Sequence, residues 1–433
     1  MSNSNESGFR RNRTAEEQRQ LVLEKLNPLT MPLRYQLGLV GLLAIALVPT
    51  QLYPNELGQF TNLLYLIMFA MSWDVVSGYT GQLSFGHAFF FALGGYSSAI
   101  LNLQHGMSPG LSIPIGMLVA AIGGVAVGLP ALRLRGPYLS LVTLIVPIIL
   151  AKFFILFNNG FTPFGLQIAP QGFGGQTGPG IPDSLFGGQS ALFSTQTIVD
   201  LLPLPEAYTS LQVGALAEYY FSFALLCLVA AVLVAVTRSS AGDVLTAIRE
   251  DEDAVAAAGL NPAKFKLFAF VLSAAVGGLA GAALVHTSVN SPSPASLLGG
   301  IPGGATGSPI QVSINVIIMS ILGGTGTIVG AAVGAVFFGA STAVVSGIDA
   351  TVPVLGVTVS NLKPLPLLTA AMVVLVFLPG GLVRFGIRAG RNVLAASRGE
   401  EPEEPLFESF EDSVLGEIVA KYREDIEDIT EGK

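Results

Sequence analysis

SFALLCLVAAVLVAV (222–236) runs fifteen residues without a charge, and it sits inside a longer block, 153–237, that contains no Lys or Arg at all. Two further blocks, 36–132 and 267–362, are equally free of positive charge, and the second carries INVIIMSIL (314–322). The chain has only 21 Lys and Arg in 433 residues, and they cluster between these blocks. A soluble protein of this size spreads its charge over its surface. A chain that places most of its length in hydrocarbon cannot. The pattern therefore predicts an all-α fold, a polytopic transmembrane helical bundle.

Composition agrees. Hydrophobic residues make up 51% and charged residues 12%, about half the charged share usual for soluble domains. Gly is abundant, at 51 residues, as expected where helices pack closely in lipid. The net charge of −8 comes from one end: residues 399–433 hold 13 Asp and Glu against three Lys and Arg, a balance of −10 that leaves +2 for the rest. The one cysteine, Cys227, lies in an apolar run and excludes an intrachain disulfide. Residues 1–34 are polar, and no apolar region before Leu37 reads as a cleaved signal.

A helix needs ~20 apolar residues to cross a bilayer, fewer if it is broken or buried in protein. The sequence predicts about ten membrane segments, near 36–53, 59–78, 86–104, 111–132, 138–157, 213–236, 264–286, 310–323, 326–347 and 363–383. Cytoplasmic loops carry an excess of Lys and Arg. With both termini cytoplasmic, 19 of the 21 bases fall inside, the exceptions being Lys152 and Lys363, and the outer connections 158–211, 287–309 and 348–361 hold none. The organisation that follows is a cytoplasmic tail (1–34), a membrane domain (35–395) and an acidic cytoplasmic tail (396–433). The N-terminal tail reads either as a short surface helix, Ala15–Leu26, or as plain solvated chain. Loop 158–211, rich in Gly, Pro, Gln and Phe, reads either as a cover or partner surface at the outer face or as a bland insertion. The acidic tail has an amphipathic stretch, Val414–Ile429, but reads best as a solvated extension.

Three motifs carry possible chemistry. SWDVVSGYTGQLSFGHAFFFALGGY (72–96) places Asp74 in an apolar span and adds Gly78, Gly81 and Gly86 at spacings that break helix regularity, with Ser77, Thr80, Gln82, Ser84 and His87 among them. Irregular backbone at membrane depth survives only where it is buried in protein or lines a watery cavity, and transporters hold polar substrates at such breaks. These residues are the candidate substrate pathway. For Asp74 alone, a cap or hydrogen bond to a neighbouring helix is the competing reading. GGTGTIVGAAVGAVFFGA (323–340) opens like the first motif, GYTGQL (78–83) matching GGTGTI (323–328) at Gly, Thr and Gly, and Gly326, Gly330 and Gly334 form a packing face. RSSAGDVLTAIREDEDAVAAAGLNPAKFK (238–266) predicts a short charged helix capped by Ser239 or Ser240 and stopped by Gly259, with Asn261 and Pro262 opening the next. Arg249, Glu250, Asp251 and Asp253 on so compact a unit between two spans suggest a docking surface for a cytoplasmic protein. No P-loop, no H-E-x-x-H, no cysteine pair and no Ser/His/acid arrangement is readable. No catalytic residue, cofactor, metal or nucleic-acid partner is expected, and an ATP-driven process would need another chain as its engine.

The chain resembles the M-type membrane subunits of ABC importers for branched-chain amino acids. The resemblance rests on SGYTGQLSFGHAFFFALGGY (77–96), LRLRGPYLSLVTL (132–144), ILGGTGTIVGAAVGAVF (321–337) and AIREDEDAVAAAGLNPAKFKLFAFVLSAAVGGLAGA (247–282). Asp253, Ala254 and Gly259 are placed like Glu, Ala and Gly of the importer EAA-x3-G pattern, with Asp in place of Glu. The resemblance implies a multi-pass cell-membrane permease paired with an H-type permease, two cytoplasmic ATPases docked on 238–263 and an external substrate-binding protein, with membrane lipid around it. Similar permeases carry urea or short amides. The alternative class is a secondary active transporter with Asp74 as its coupling residue. That class needs no docking loop and usually shows more than one intramembrane ionisable group.

Overall fold

The computed structural model describes residues 33–50, 57–131, 137–186, 210–287, 292–298, 310–346, 351–352, 357–358, 368–369, 371–374, 378 and 380–398. Ala15–Leu26, Val414–Ile429, Arg133, Arg135, Lys363, the second half of loop 158–211 and most of the expected segment 363–383 lie outside this set. Two compact units are present, one ending at Ile45 and one beginning at Ala46. In the first, helix α1 (Leu33–Leu47) begins, with Leu39, Val40 and Leu43 exposed.

The second unit contains α2 (Leu57–Thr80), α3 (His87–His105), α4 (Pro109–Ala131), α5 (Pro137–Leu156), α6 (Ser210–Thr237), the short pair α7 (Ser240–Glu250) and α8 (Glu252–Ala257), α9 (Pro262–Leu284), the single turn α10 (Pro294–Leu297), α11 (Gln311–Gly323), α12 (Ile328–Ser346) and α13 (Gly381–Arg398). Among the described residues, six helices are long and apolar enough to cross a membrane: α2, α4, α5, α6, α9 and α12. Of the ten expected segments, six correspond to these helices, two to the shorter apolar α11 and the end of α1, and 86–104 to α3, which carries His87, Asn102, Gln104 and His105; most of the tenth, 363–383, lies outside the described residues. One detail departs from the all-α reading: Thr351–Val352 pairs antiparallel with Val357–Thr358 in a two-stranded ribbon.

Burial ranks the spans. In their most apolar windows α2 is 78% buried and α9 67%, against 28–33% for α4, α5, α6 and α12. α2 packs against α6, α9, α11 and α12, and α9 packs against α2, α3 and α4. The apolar residues that stay exposed on the outer helices, such as Leu118, Ile122, Leu141, Ile145, Ile149 and Leu228, form the surface a bilayer would solvate. Close approach is made possible by glycine: a Cβ on Gly94 would lie 2.1 Å from the Gly278 carbonyl oxygen, and one on Gly281 would lie 2.0 Å from that of Phe91. Helices without a hydrophobic driving force between them gain their contact this way.

Candidate functional site

The break between α2 and α3 is the first part of the site. α2 ends at Thr80, Gly81 takes φ +70, and the chain stays non-helical to Gly86. Its backbone is satisfied by side chains from the surrounding helices. Trp73 Nε1 donates to the Ser84 carbonyl (2.8 Å), Ser77 Oγ to that of Gln82 (3.0 Å), and Ser140 Oγ to that of Leu83 (2.8 Å). The Phe85 N–H donates to Thr143 Oγ1 (3.1 Å) and the Ala88 N–H to Ser313 Oγ (3.1 Å). Irregular backbone is thus held inside protein, as lipid requires. Gly81 and Leu83 remain exposed and Gln82 half-buried, so this stretch alone of the motif opens outward.

The other expected pathway residues are turned into helix contacts. His87 is buried between Phe69, whose ring is tilted against it, and Phe90, which meets it edge-on. Its Nε2 lies 2.7 Å from Ser72 Oγ, which itself donates to the Phe69 carbonyl, so the imidazole donates to the hydroxyl. Ser273 of α9 donates to the Ser72 carbonyl (2.5 Å), closing a three-helix knot. Thr80 Oγ1 bonds its own helix at Val76, and Ser84 Oγ accepts from the Gly86 N–H at 3.4 Å.

Asp74 is fully buried. Its Oδ1 accepts from the N–H of Gly326 at 2.8 Å, across 252 residues of sequence, while its Oδ2 is buried with no hydrogen-bond partner. Gly326 lies in the α11–α12 turn at φ +76. It therefore does not belong to the packing face expected for it. Gly330 and Gly334 do, since a Cβ on either would strike Gly324 O or Met319 O on the turn and on α11. Thr327 caps α12, its Oγ1 accepting from the Gly330 N–H (3.1 Å). The two similar sequences GYTGQL and GGTGTI are brought face to face.

The charged segment forms two helices rather than one. Asp251 breaks the run with φ −155, and its Oδ1 caps α8 by accepting from the Ala254 N–H (2.9 Å). Ser239 holds the cap position of α7 but turns its hydroxyl back to the Val236 carbonyl, so the expected side-chain cap is absent. The other end matches expectation: Gly259 takes φ +84, and Asn261 Oδ1 accepts from the Lys264 N–H (3.3 Å) with Pro262 behind it. α7 buries Gly242, Leu245 and Ile248, α8 buries Val255, and Glu252 pairs with the buried Lys266 of α9. Glu250, Asp251, Asp253, Ala254 and Leu260 are left exposed on a unit anchored to the bundle. Arg249 turns the other way, its Nη1 donating to the Gly78 carbonyl at 3.0 Å.

The opposite end of the bundle holds residues that sequence reasoning passes over. His286 Nδ1 donates to the Asp183 carbonyl (2.7 Å), and its Nε2 faces Ser98 (2.8 Å) and Ser112 (3.1 Å). Asn102 Oδ1 accepts from the Asp183 N–H, and Gln104 bonds Gly172 and Gln171. Ser184 Oγ donates to Glu218 Oε1 at 2.6 Å, which makes Glu218 a second buried carboxylate within a span. Phe153, Phe157, Phe161 and Phe173 pack together beneath these contacts. Residues 158–186 are thus fastened by hydrogen bonds to Asn102, Gln104, Glu218 and His286. The one signal in the sequence was the group of polar residues Asn102, Gln104 and His105 at the end of an apolar helix.

Buried glycine-packed spans, a protein-held helix break and an anchored amphipathic hairpin define a multi-pass membrane transport subunit. The profile of the family described as "Branched-chain amino acid transport system / permease component" matches residues 57–378, and this chain belongs to that family. It is similar to the high-affinity branched-chain amino acid transport system permease protein LivM of Escherichia coli and to that of Salmonella typhimurium, 31% identical to each over 255 residues. The match covers 57% of this chain and 56% of each relative, so the chain spans about half the length of the curated relatives it matches. No solved structure matches.

Proposed function

We propose that this chain is one of two paired permease subunits of an ATP-driven importer for branched-chain or related amino acids. An H-type permease would be its partner. Two ATPases would dock on the α7–α8 hairpin, and an external binding protein would meet the end capped by 158–186. The observation that carries this reading is the hairpin itself. It is fastened to the bundle by Arg249 and Lys266 yet leaves Glu250, Asp251 and Asp253 facing outward. A hairpin needed only to connect two spans would not require both features. Charge supports placing it inside, because 19 of 21 bases then lie on the cytoplasmic side. Glu218 removes the argument against secondary transport from a single intramembrane carboxylate, but its oxygen is engaged by Ser184 and serves the cap. Within this reading the segment 74–87 forms the inner gate of the path. Gly81, Gln82 and Leu83 are its opening part, and Asp74, Ser84 and His87 are its frame.

The test is reconstitution of the complex with its ATPases and binding protein, with uptake and ATP hydrolysis measured together. Gly259 ends the hairpin in a left-handed conformation with no atom near its missing Cβ. Gly259→Val therefore strains the backbone alone, by about 1–2 kcal/mol. We expect Gly259→Val to insert and assemble but to hydrolyse ATP with little uptake. Normal uptake would count against a coupling role. In a Cys227→Ser background, single cysteines in 245–255 should react with a reagent applied from the cytoplasmic side and those in 166–181 should not. The reverse pattern would overturn the orientation.

A further inference from the structure

Arg249 is the one cation of the hairpin that points into the bundle, and glycine makes the slot it occupies. A Cβ on Gly81 would lie 2.9 Å from its Cγ, and one on Gly326 would lie 2.6 Å from its Nη1. Its side chain is 39% exposed, so it runs from solvent to core. Nη1 donates to the Gly78 carbonyl (3.0 Å), while Nε and Nη2 donate to Glu250 Oε1 (3.2 and 2.9 Å). A guanidinium has five N–H donors, so this arrangement leaves two unspent. Gly78 lies one helical turn from Asp74 on α2, and Gly326 touches both, donating to Asp74 Oδ1 at 2.8 Å.

Asp74 Oδ2 is the anomaly. A buried carboxylate oxygen without a donor is costly, and Gly326 satisfies only its partner oxygen. Nothing in the packing of α2 requires a carboxylate here. A hydroxyl or amide would accept from Gly326 equally well. What a carboxylate adds is a second acceptor and a charge, one helical turn from the carbonyl that holds a guanidinium carried on the element that ATPases would move.

We propose that Arg249 and Asp74 form a two-position latch: displacement of the α7–α8 hairpin carries the guanidinium from the Gly78 carbonyl onto Asp74 Oδ2, and so transmits the hairpin's position to the inner gate. This rests on the importer reading above, in which docked ATPases shift that hairpin. In one position the α2 terminus is held by Arg249 through the Gly78 carbonyl. In the other the Asp74–Gly326 contact is reinforced, α2 and the α11–α12 turn are clamped together, and the Gly78 carbonyl is released. Charge-assisted bonds of this kind are strong enough to bias two packed arrangements of similar stability.

The experiment is a double-mutant cycle in the full reconstituted complex, reading substrate taken up per ATP hydrolysed for the wild type, Asp74→Asn, Arg249→Gln, the double variant and Arg249→Lys. Asn keeps the acceptor for Gly326 and removes the charge. Each charge-removing single variant is expected to lower the ratio about tenfold while the complex still assembles and hydrolyses ATP. The double variant should fall no lower than the worse single. Arg249→Lys, which keeps the charge, should stay within about threefold of wild type. A merely structural role would change assembly yield and leave the ratio alone. Multiplying losses in the double variant, or an unchanged ratio in either single, would overturn the latch while leaving the importer reading in place. A wild-type complex with no ATP-dependent uptake would remove both. Should Asp74→Asn fail to assemble, the Arg249 pair decides: a low ratio in Gln with a near-normal one in Lys supports the latch, and equal ratios overturn it.

Discussion

Gly281→Leu is expected to remove nearly all folded permease from the membrane. The first atom of any side chain there would lie 2.0 Å from the carbonyl oxygen of Phe91 and 2.8 Å from its carbon. These are backbone atoms of α3, so no rotamer change can make room. Separating α9 from α3 would also open the neighbouring contacts, where Gly94 meets the Gly278 carbonyl and Gly278 meets Ala120 of α4. Overpacking of this kind costs about 3 kcal/mol or more, a large share of a marginal stability. We expect the yield of monodisperse protein in mild detergent to fall below about a tenth of wild type. Gly214→Ala, at a position with no atom near the added carbon, should behave as wild type. A normal yield for Gly281→Leu would show that α3 and α9 do not pack this closely.

Much of this arrangement was legible in the chain, because hydropathy and charge are local quantities. Helices occupy 59–78, 86–104, 111–132, 138–157 and 213–236 within a few residues, since a span must be apolar whatever it touches. The helix break at 81–86, the left-handed turn at Gly259 and the Asn261–Pro262 start also follow from local chemistry. Pairings over long sequence distance do not. Asp74 with Gly326, Arg249 with Gly78 and Asp183 with His286 are separated by 252, 171 and 103 residues, and periodicity says nothing about which helix ends meet. The run Arg249–Asp253 reads as a solvated docking face because four of its five residues are acids. That the single base faces inward depends on two glycines on other elements. For Asp74 the sequence offers a hydrogen bond to a neighbouring helix as one of two readings but cannot name the partner, which is the Gly326 N–H in a distant turn. His87 likewise has the composition of a ligand and the surroundings of a helix clasp.

The second large effect is expected at Gly78, where one methyl group decides whether α2 can close on the α11–α12 turn. A Cβ there would fall 2.1 Å from Asp74 Oδ1 and 2.4 Å from the Gly326 nitrogen, in steric conflict with both partners of the hydrogen bond that joins them. Gly78→Ala must therefore break that bond or push the turn away. Either result leaves a buried carboxylate with both oxygens unpartnered, at a cost of about 1–3 kcal/mol beyond the steric term. Helix propensity acts in the opposite direction, since Ala is favoured over Gly inside a helix by about 1 kcal/mol. Gly58→Ala, in the first turn of the same helix with nothing near the added carbon, receives part of that benefit without the clash. The pair separates propensity from contact. Gly58→Ala should be neutral or slightly more heat-resistant in a thermal unfolding assay of the purified complex. Gly78→Ala should unfold at lower temperature and lose most of its uptake, about tenfold or more. If Gly78→Ala transports normally, the closure of α2 on Gly326 is not the arrangement on which uptake depends, and the gate must be sought at another helix end.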